Sequence, residues 1–90
     1  MRFEWDAAKA RKDLRKHGVS FDEASSVFYD RLAVTGADPD HSEGEVRLVS
    51  FGRSAQARLL VVAHTERNEV VRIISSRTAT AYEREIYEEG

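Results

Sequence analysis

No cysteine occurs in the chain, which removes disulfides and thiolate metal sites together. The absence agrees with a reducing compartment, although exported proteins without cysteine are also common. Only one proline occurs in 90 residues, and there is no repeat or low-complexity tract. Nothing therefore marks a linker, and one domain over residues 1–90 is expected. Long apolar runs are missing as well. The longest, Leu59 to Ala63, falls far short of the roughly 20 residues that cross a bilayer. The opening Met1-Arg2-Phe3-Glu4-Trp5-Asp6 lacks the apolar stretch of a signal peptide. The expectation is a soluble, cytoplasmic protein with no membrane partner. A basic excess is missing too: Lys plus Arg number 14, Asp plus Glu 16, and the net charge is -2. Most nucleic-acid binders carry the opposite balance, because neutralised phosphates supply much of their affinity. A chain this short also buries only about 60% of its unfolded surface, so tight packing or a partner must supplement its core.

The charge that is present is unevenly placed. Lys9, Arg11, Lys12, Arg15, Lys16 and His17 crowd one segment against the single acid Asp13, while Glu83, Glu85, Glu88 and Glu89 gather at the end. Arg2 to Trp5 reads as a short strand. Asp6 is placed to cap a helix over Ala7 to Lys16, which stops at Gly18. Ser20-Phe21-Asp22-Glu23 is a capping box, and the apolar spacing Phe21, Ala24, Val27, Phe28 continues it as a helix. Leu32 to Val34 is a candidate strand, and Asp38-Pro39-Asp40-His41 reads as a turn. Three strand-like runs follow, Val46 to Phe51, Leu59 to Glu66 and Glu69 to Arg77. Thr80 to Glu83 is a second capping box, opening a last helix with Tyr82 and Ile86 in adjacent turns. The order predicts an α+β fold: an antiparallel meander with two N-terminal helices and one C-terminal helix.

The hairpin between the last two runs determines which side chains meet. A turn with Arg67 at positive φ is unfavourable, whereas a three-residue turn of Glu66, Arg67 and Asn68 leaves only Asn68 left-handed. That register sets His64 opposite Val70 and Val62 opposite Arg72. Arg58, His64, Arg72 and Ser76 then share one face with Leu60, Val62 and Ile74, while Leu59, Val61, Ala63, Val71 and Ile73 pack under the helices. A slip of one residue separates His64 from Arg72.

Several motifs together resemble the BrnT family. They are Phe3-Glu4-Trp5-Asp6-x-x-Lys9, Lys16-His17-Gly18-Val19-x-Phe21, Glu23-Ala24, His41-Ser42-x-x-Glu45-x-Arg47, His64-Thr65-Glu66-Arg67, Arg72-Ile73-Ile74-Ser75-x-Arg77-x-Ala79, Glu83 and Tyr87. Asp13, Arg31 and Ala57 stand where the family often has asparagine, proline and glycine. Asn68 replaces a frequent glycine and Ser76 a frequent alanine. The resemblance implies a RelE-like fold and an endoribonuclease toxin. It further implies a BrnA-like antitoxin that forms a heterotetramer with the toxin and is its only route to operator DNA.

RNA brings its own nucleophile, the 2′-hydroxyl, so cleavage without a metal or other cofactor needs a proton acceptor, a proton donor and fixed cations on the phosphate. Histidine suits proton transfer, and arginine suits the phosphate because its planar fork stays charged. The catalytic candidates are therefore His64, Glu66, Arg72, Arg77, Lys9 and His17. Arg53 and Arg58, with Arg72 and Arg77, are candidates for RNA phosphates, and Leu60, Val62 and Ile74 for an apolar antitoxin contact. His17, His41 and His64 lack the paired spacing of a metal site. A competing reading is a non-catalytic module that binds a small DNA-binding regulator.

Overall fold

Local signals start each helix. In this computed structural model, which describes residues 1–38 and 46–90, helix α1 (Ala7–His17) ends where Gly18 takes a left-handed φ of 71° and donates to the Leu14 carbonyl. Arg15, Lys16 and His17 occupy its last turn, where cations complement the helix dipole. Asp6 sits at the N-cap but makes no side-chain cap bond. Helix α2 (Phe21–Ser26) is capped by Ser20, whose hydroxyl accepts from the Glu23 amide at 3.0 Å. The second arm of that expected box is redirected, because the Glu23 carboxylate turns to Ser54 and Arg58 instead. A 3₁₀ turn (Val27–Tyr29) follows. Helix α3 (Ala81–Glu89) carries the full reciprocal box of Thr80 and Glu83.

The sheet runs in the order β1-β5-β4-β3-β2, with β1 Arg2–Glu4, β2 Val34–Ala37, β3 Leu48–Arg53, β4 Leu59–Arg67 and β5 Val70–Thr78. Strands β2 to β5 form the expected antiparallel meander. The expectation of a wholly antiparallel sheet is corrected by β1, which pairs parallel to the first three residues of β5. Among the described residues, three α-helices and a five-stranded mixed sheet make an α+β fold. The turn expected beyond Asp38, with His41, Ser42 and Glu45, lies outside the described residues.

One face of the sheet lies under the α2 region. Phe21, Ala24 and Val27 from the α2 region pack with Val19 on Leu60, Val62, Val71 and Ile73, and Phe3, Trp5, Ala10 and Phe28 close the margins. Each large side chain buried there contributes roughly 1.5–3 kcal/mol. Gly52 is the point of closest approach: a Cβ there would lie 2.6 Å from Val27 Cγ1 and 3.2 Å from Ala33 Cβ.

The hairpin departs from its expected register. Its turn is Asn68-Glu69, with φ of 51° and 67°, a two-residue connection in which both positions are left-handed. Arg67 pairs with Val70, Thr65 with Arg72, and His64 with Ile73. A β-bulge then makes Ile74 an extra residue, so that Ala63 pairs with Ser75 and Val62 with Ser76. His64 therefore joins the helix-covered face, and Arg72 joins the opposite one.

Candidate functional site

Strand β1 covers only the start of β5. Farther along, the exposed backbone edge of β5 is met by α1, and the Ser76 amide donates to Asp13 Oδ2 at 3.1 Å. Lys9, Asp13 and His17 stand four residues apart on α1, and Lys12 and Lys16 form a neighbouring row, so the five share one side of the helix. They line a cleft of about 340 Å³ whose other wall is Ile74 and Ser75. The bulge thus sets its extra residue into this wall. The three lysines are exposed, while His17 and Asp13 are half-buried. Burial pushes the Asp13 carboxyl up from its ordinary value, against the opposing pull of the Ser76 amide, His17 and Lys16.

A second cationic surface adjoins the first along β5. On the face opposite α2, Arg2, Arg67 and Arg72 surround Glu4, Thr65, Asn68 and Val70 in an open groove of about 450 Å³. Arg72 lies 3.3 Å from Glu4, an exposed pair of the kind that contributes little to stability. Groove and cleft follow one another on the same strand, the first at Val70 and Arg72, the second at Ile74 and Ser75.

The expected grouping of His64 with Arg72 is not formed. His64 has no exposed surface. Its Nε2 shares a 2.8 Å hydrogen bond with Ser50 Oγ, which bonds in turn to Thr35 Oγ1 at 2.7 Å. Phe28 meets the imidazole edge-to-face at 4.8 Å. Nδ1 has no hydrogen-bond partner among the described residues, and the exposed Glu66 carboxylate lies 3.5 Å away. Desolvation lowers the imidazole to a pKa of about 4, so it is neutral at pH 7. A ring sealed in this way does not reach a substrate, and Glu66 stands beside it without joining it to Arg72.

The other expected arginines are engaged elsewhere. Arg77 forks onto Glu83 with two bonds of 2.7 Å, which hold the Glu83 carboxyl at about 2. Arg58 binds the buried Glu23 through Nε at 2.9 Å and closes on it again through Nη2, which also donates to the Gly18 carbonyl. This ties β4 to α2, and it holds Glu23 below its ordinary value. Arg53 is exposed, bonds to the Ala57 carbonyl at 3.3 Å and lies over the Tyr87 ring. Leu60 and Val62 have no exposed surface, so the apolar contact assigned to them is filled by the protein's own helices. Ile74 alone of that trio reaches solvent, in the cleft. Of the residues lining this cleft, sequence reasoning named Lys9, His17 and Ile74 as candidates and noted Lys12, Lys16 and Asp13 only as charges of the same segment. Their signal was available in the spacing along α1, whereas the opposing Ser75 depends on the bulge. Among the described residues, no three histidines or carboxylates come together as a metal cluster would require.

A family model described as the ribonuclease toxin BrnT of type II toxin–antitoxin systems matches residues 5–83, a span containing both walls of the cleft. Among solved structures, the chain is similar to the Brucella abortus ribonuclease toxin BrnT. The two are 22% identical, with a TM-score of 0.64, and the match covers 89% of this chain and 97% of that one. At that identity the likeness shows a shared fold. No curated protein matches. The family match over most of the chain leads to one conclusion: this protein belongs to the BrnT family of ribonuclease toxins of type II toxin–antitoxin systems.

Proposed function

We propose that the chain is a metal-independent endoribonuclease that works in the cleft between α1 and β5 and is silenced by a BrnA-like antitoxin. The observation that carries this reading is the convergence of Lys9, Lys12, Lys16 and His17 on the bulged edge of β5. Lys9, Lys12 and Lys16 hold the scissile phosphate and stabilise its developing charge. His17 exchanges the protons. The 2′-oxygen gives up its proton as it attacks phosphorus, the bond to the 5′-oxygen breaks, and that oxygen takes a proton as it leaves. The products are a 2′,3′-cyclic phosphate and a free 5′-hydroxyl. Arg72, with Arg2 and Arg67, guides the same RNA strand across the neighbouring groove. Arg53, Arg58 and Arg77 are structural in this reading, as is His64. The antitoxin covers the cleft around Ile74 with acidic side chains over Lys12 and Lys16, in a hetero-oligomer that reaches operator DNA through the antitoxin alone.

Purified protein incubated with RNA and excess chelator tests the reading. Cleavage should persist in chelator and fall at least about 100-fold when Lys12 and Lys16 are both replaced by alanine. Cleavage that stops with chelator, or is undiminished in the double variant, contradicts it. The net charge of -2 favours a second reading, a non-catalytic module that only binds a small DNA-binding regulator. Tight binding of such a regulator by a chain that leaves RNA intact would decide for that alternative.

A further inference from the structure

Among the described residues, Asp13 is the one carboxylate lining the cleft, beside Lys9, Lys12, Lys16 and His17. It is held in place, because Oδ2 accepts from the Ser76 amide on the edge of β5. Lys16 and His17 are near enough to act on its charge. A fixed anion among phosphate-binding cations opposes RNA without being able to swing away from it. An asparagine at this position keeps an oxygen for the Ser76 amide and removes the charge. We propose that Asp13 is an internal attenuator: its charge weakens RNA binding by the cleft, while its hydrogen bond holds α1 against β5. The proposal rests on the cleft being the RNA site and adds that the strength of this site is set low within the chain itself.

The size of the effect follows from counterion release. For single strands, binding scales with salt as roughly the power -0.7 for each charge neutralised. Removing one opposing charge should therefore tighten binding about fivefold at 0.1 M monovalent salt, and the gain should vanish near 1 M.

The test measures binding of a 2′-O-methyl oligoribonucleotide, which lacks the nucleophile and stays intact, by wild type, Asp13→Asn, Asp13→Ala and Lys16→Ala across a salt series. Asp13→Asn should bind about fivefold more tightly at 0.1 M, with a steeper salt dependence, and Lys16→Ala about fivefold more weakly. Hydrogen exchange at the Ser76 amide should match wild type in Asp13→Asn and quicken in Asp13→Ala, which separates the bond from the charge. Binding by Asp13→Asn that equals or falls below wild type overturns the attenuator, even where Lys16→Ala weakens binding and the cleft reading stands. Unchanged binding by Lys16→Ala removes the RNA site itself, and the attenuator with it.

Discussion

His64 and His17 lie in two contrasting regions. His64 is packed beneath Phe28, bonded to Ser50, fully shielded from water and neutral at pH 7. His17 is half-exposed at the end of a charged helix, beside three lysines and an anchored aspartate. The first region spends its polar groups on one another and holds strands together. The second leaves its cations unburied and facing a strand edge, which is the arrangement an RNA phosphate needs. The contrast shows that a histidine's neighbours in space, and not its place in a motif, decide whether it can meet a substrate.

Replacing each histidine in turn by alanine gives the largest expected separation. His17→Ala should reduce RNA cleavage about 10²–10⁴-fold, the usual contribution of general acid–base catalysis, and leave the melting temperature near wild type. His64→Ala should do the reverse. Losing the Ser50 bond and leaving a cavity should destabilise the fold by roughly 2–4 kcal/mol, while the folded fraction keeps its specific activity. Rate assays on protein corrected for folded fraction separate the two.

Between pH 6.5 and 4, acid should act on the buried region through His64. The folded pKa of His64, about 4, lies below its ordinary 6.5, so the unfolded chain takes up this proton first as pH falls. The stability tied to the neutral ring is complete above pH 6.5 and is lost progressively between 6.5 and 4, by about 3 kcal/mol in total. Denaturant midpoints measured across that window should fall in wild type. In His64→Ala this share of the decline should be missing.

Packing sharpens the contrast next. Gly52→Ala drives a methyl against Val27 and Ala33 in the covered layer, and should cost roughly 1–3 kcal/mol without changing cleavage per folded molecule. The smallest effect belongs to the groove. Arg72→Ala should weaken binding of longer RNA about fivefold at 0.1 M salt, and leave a dinucleotide that fills only the cleft unaffected.

Much of this architecture could be read from local chemistry. Gly18, Ser20 and Thr80 marked helix boundaries correctly, and the Val- and Leu-rich runs marked β3 to β5, because caps and periodicity act within a few residues. What escaped was pairing. Asn68 was expected to carry the only positive φ, but Glu69 shares it, and Ile74 adds a bulge that no local pattern announces. The two-residue turn alone, at about 1–2 kcal/mol for each left-handed residue, moves Arg72 to the other side of the sheet from His64, and the bulge changes only the pairing beyond them. The parallel pairing of β1 was equally hidden, since it joins Arg2 to Val70 across most of the chain. Lys9 and His17, both named as candidates from the sequence, line one cleft because spacing along a helix survives such shifts. The anchoring role of Asp13 required the Ser76 amide, which sequence alone does not bring to it.

The most direct test of the proposed RNA cleft is a titration of isotope-labelled wild type with an uncleavable oligoribonucleotide, followed by backbone amide shifts. The account predicts that the largest changes run along Lys9–His17 and through Ile74, Ser75 and Ser76, with Thr35, Ser50 and His64 nearly still. Changes centred on His64 and its hydrogen-bonded neighbours, with α1 silent, would contradict it.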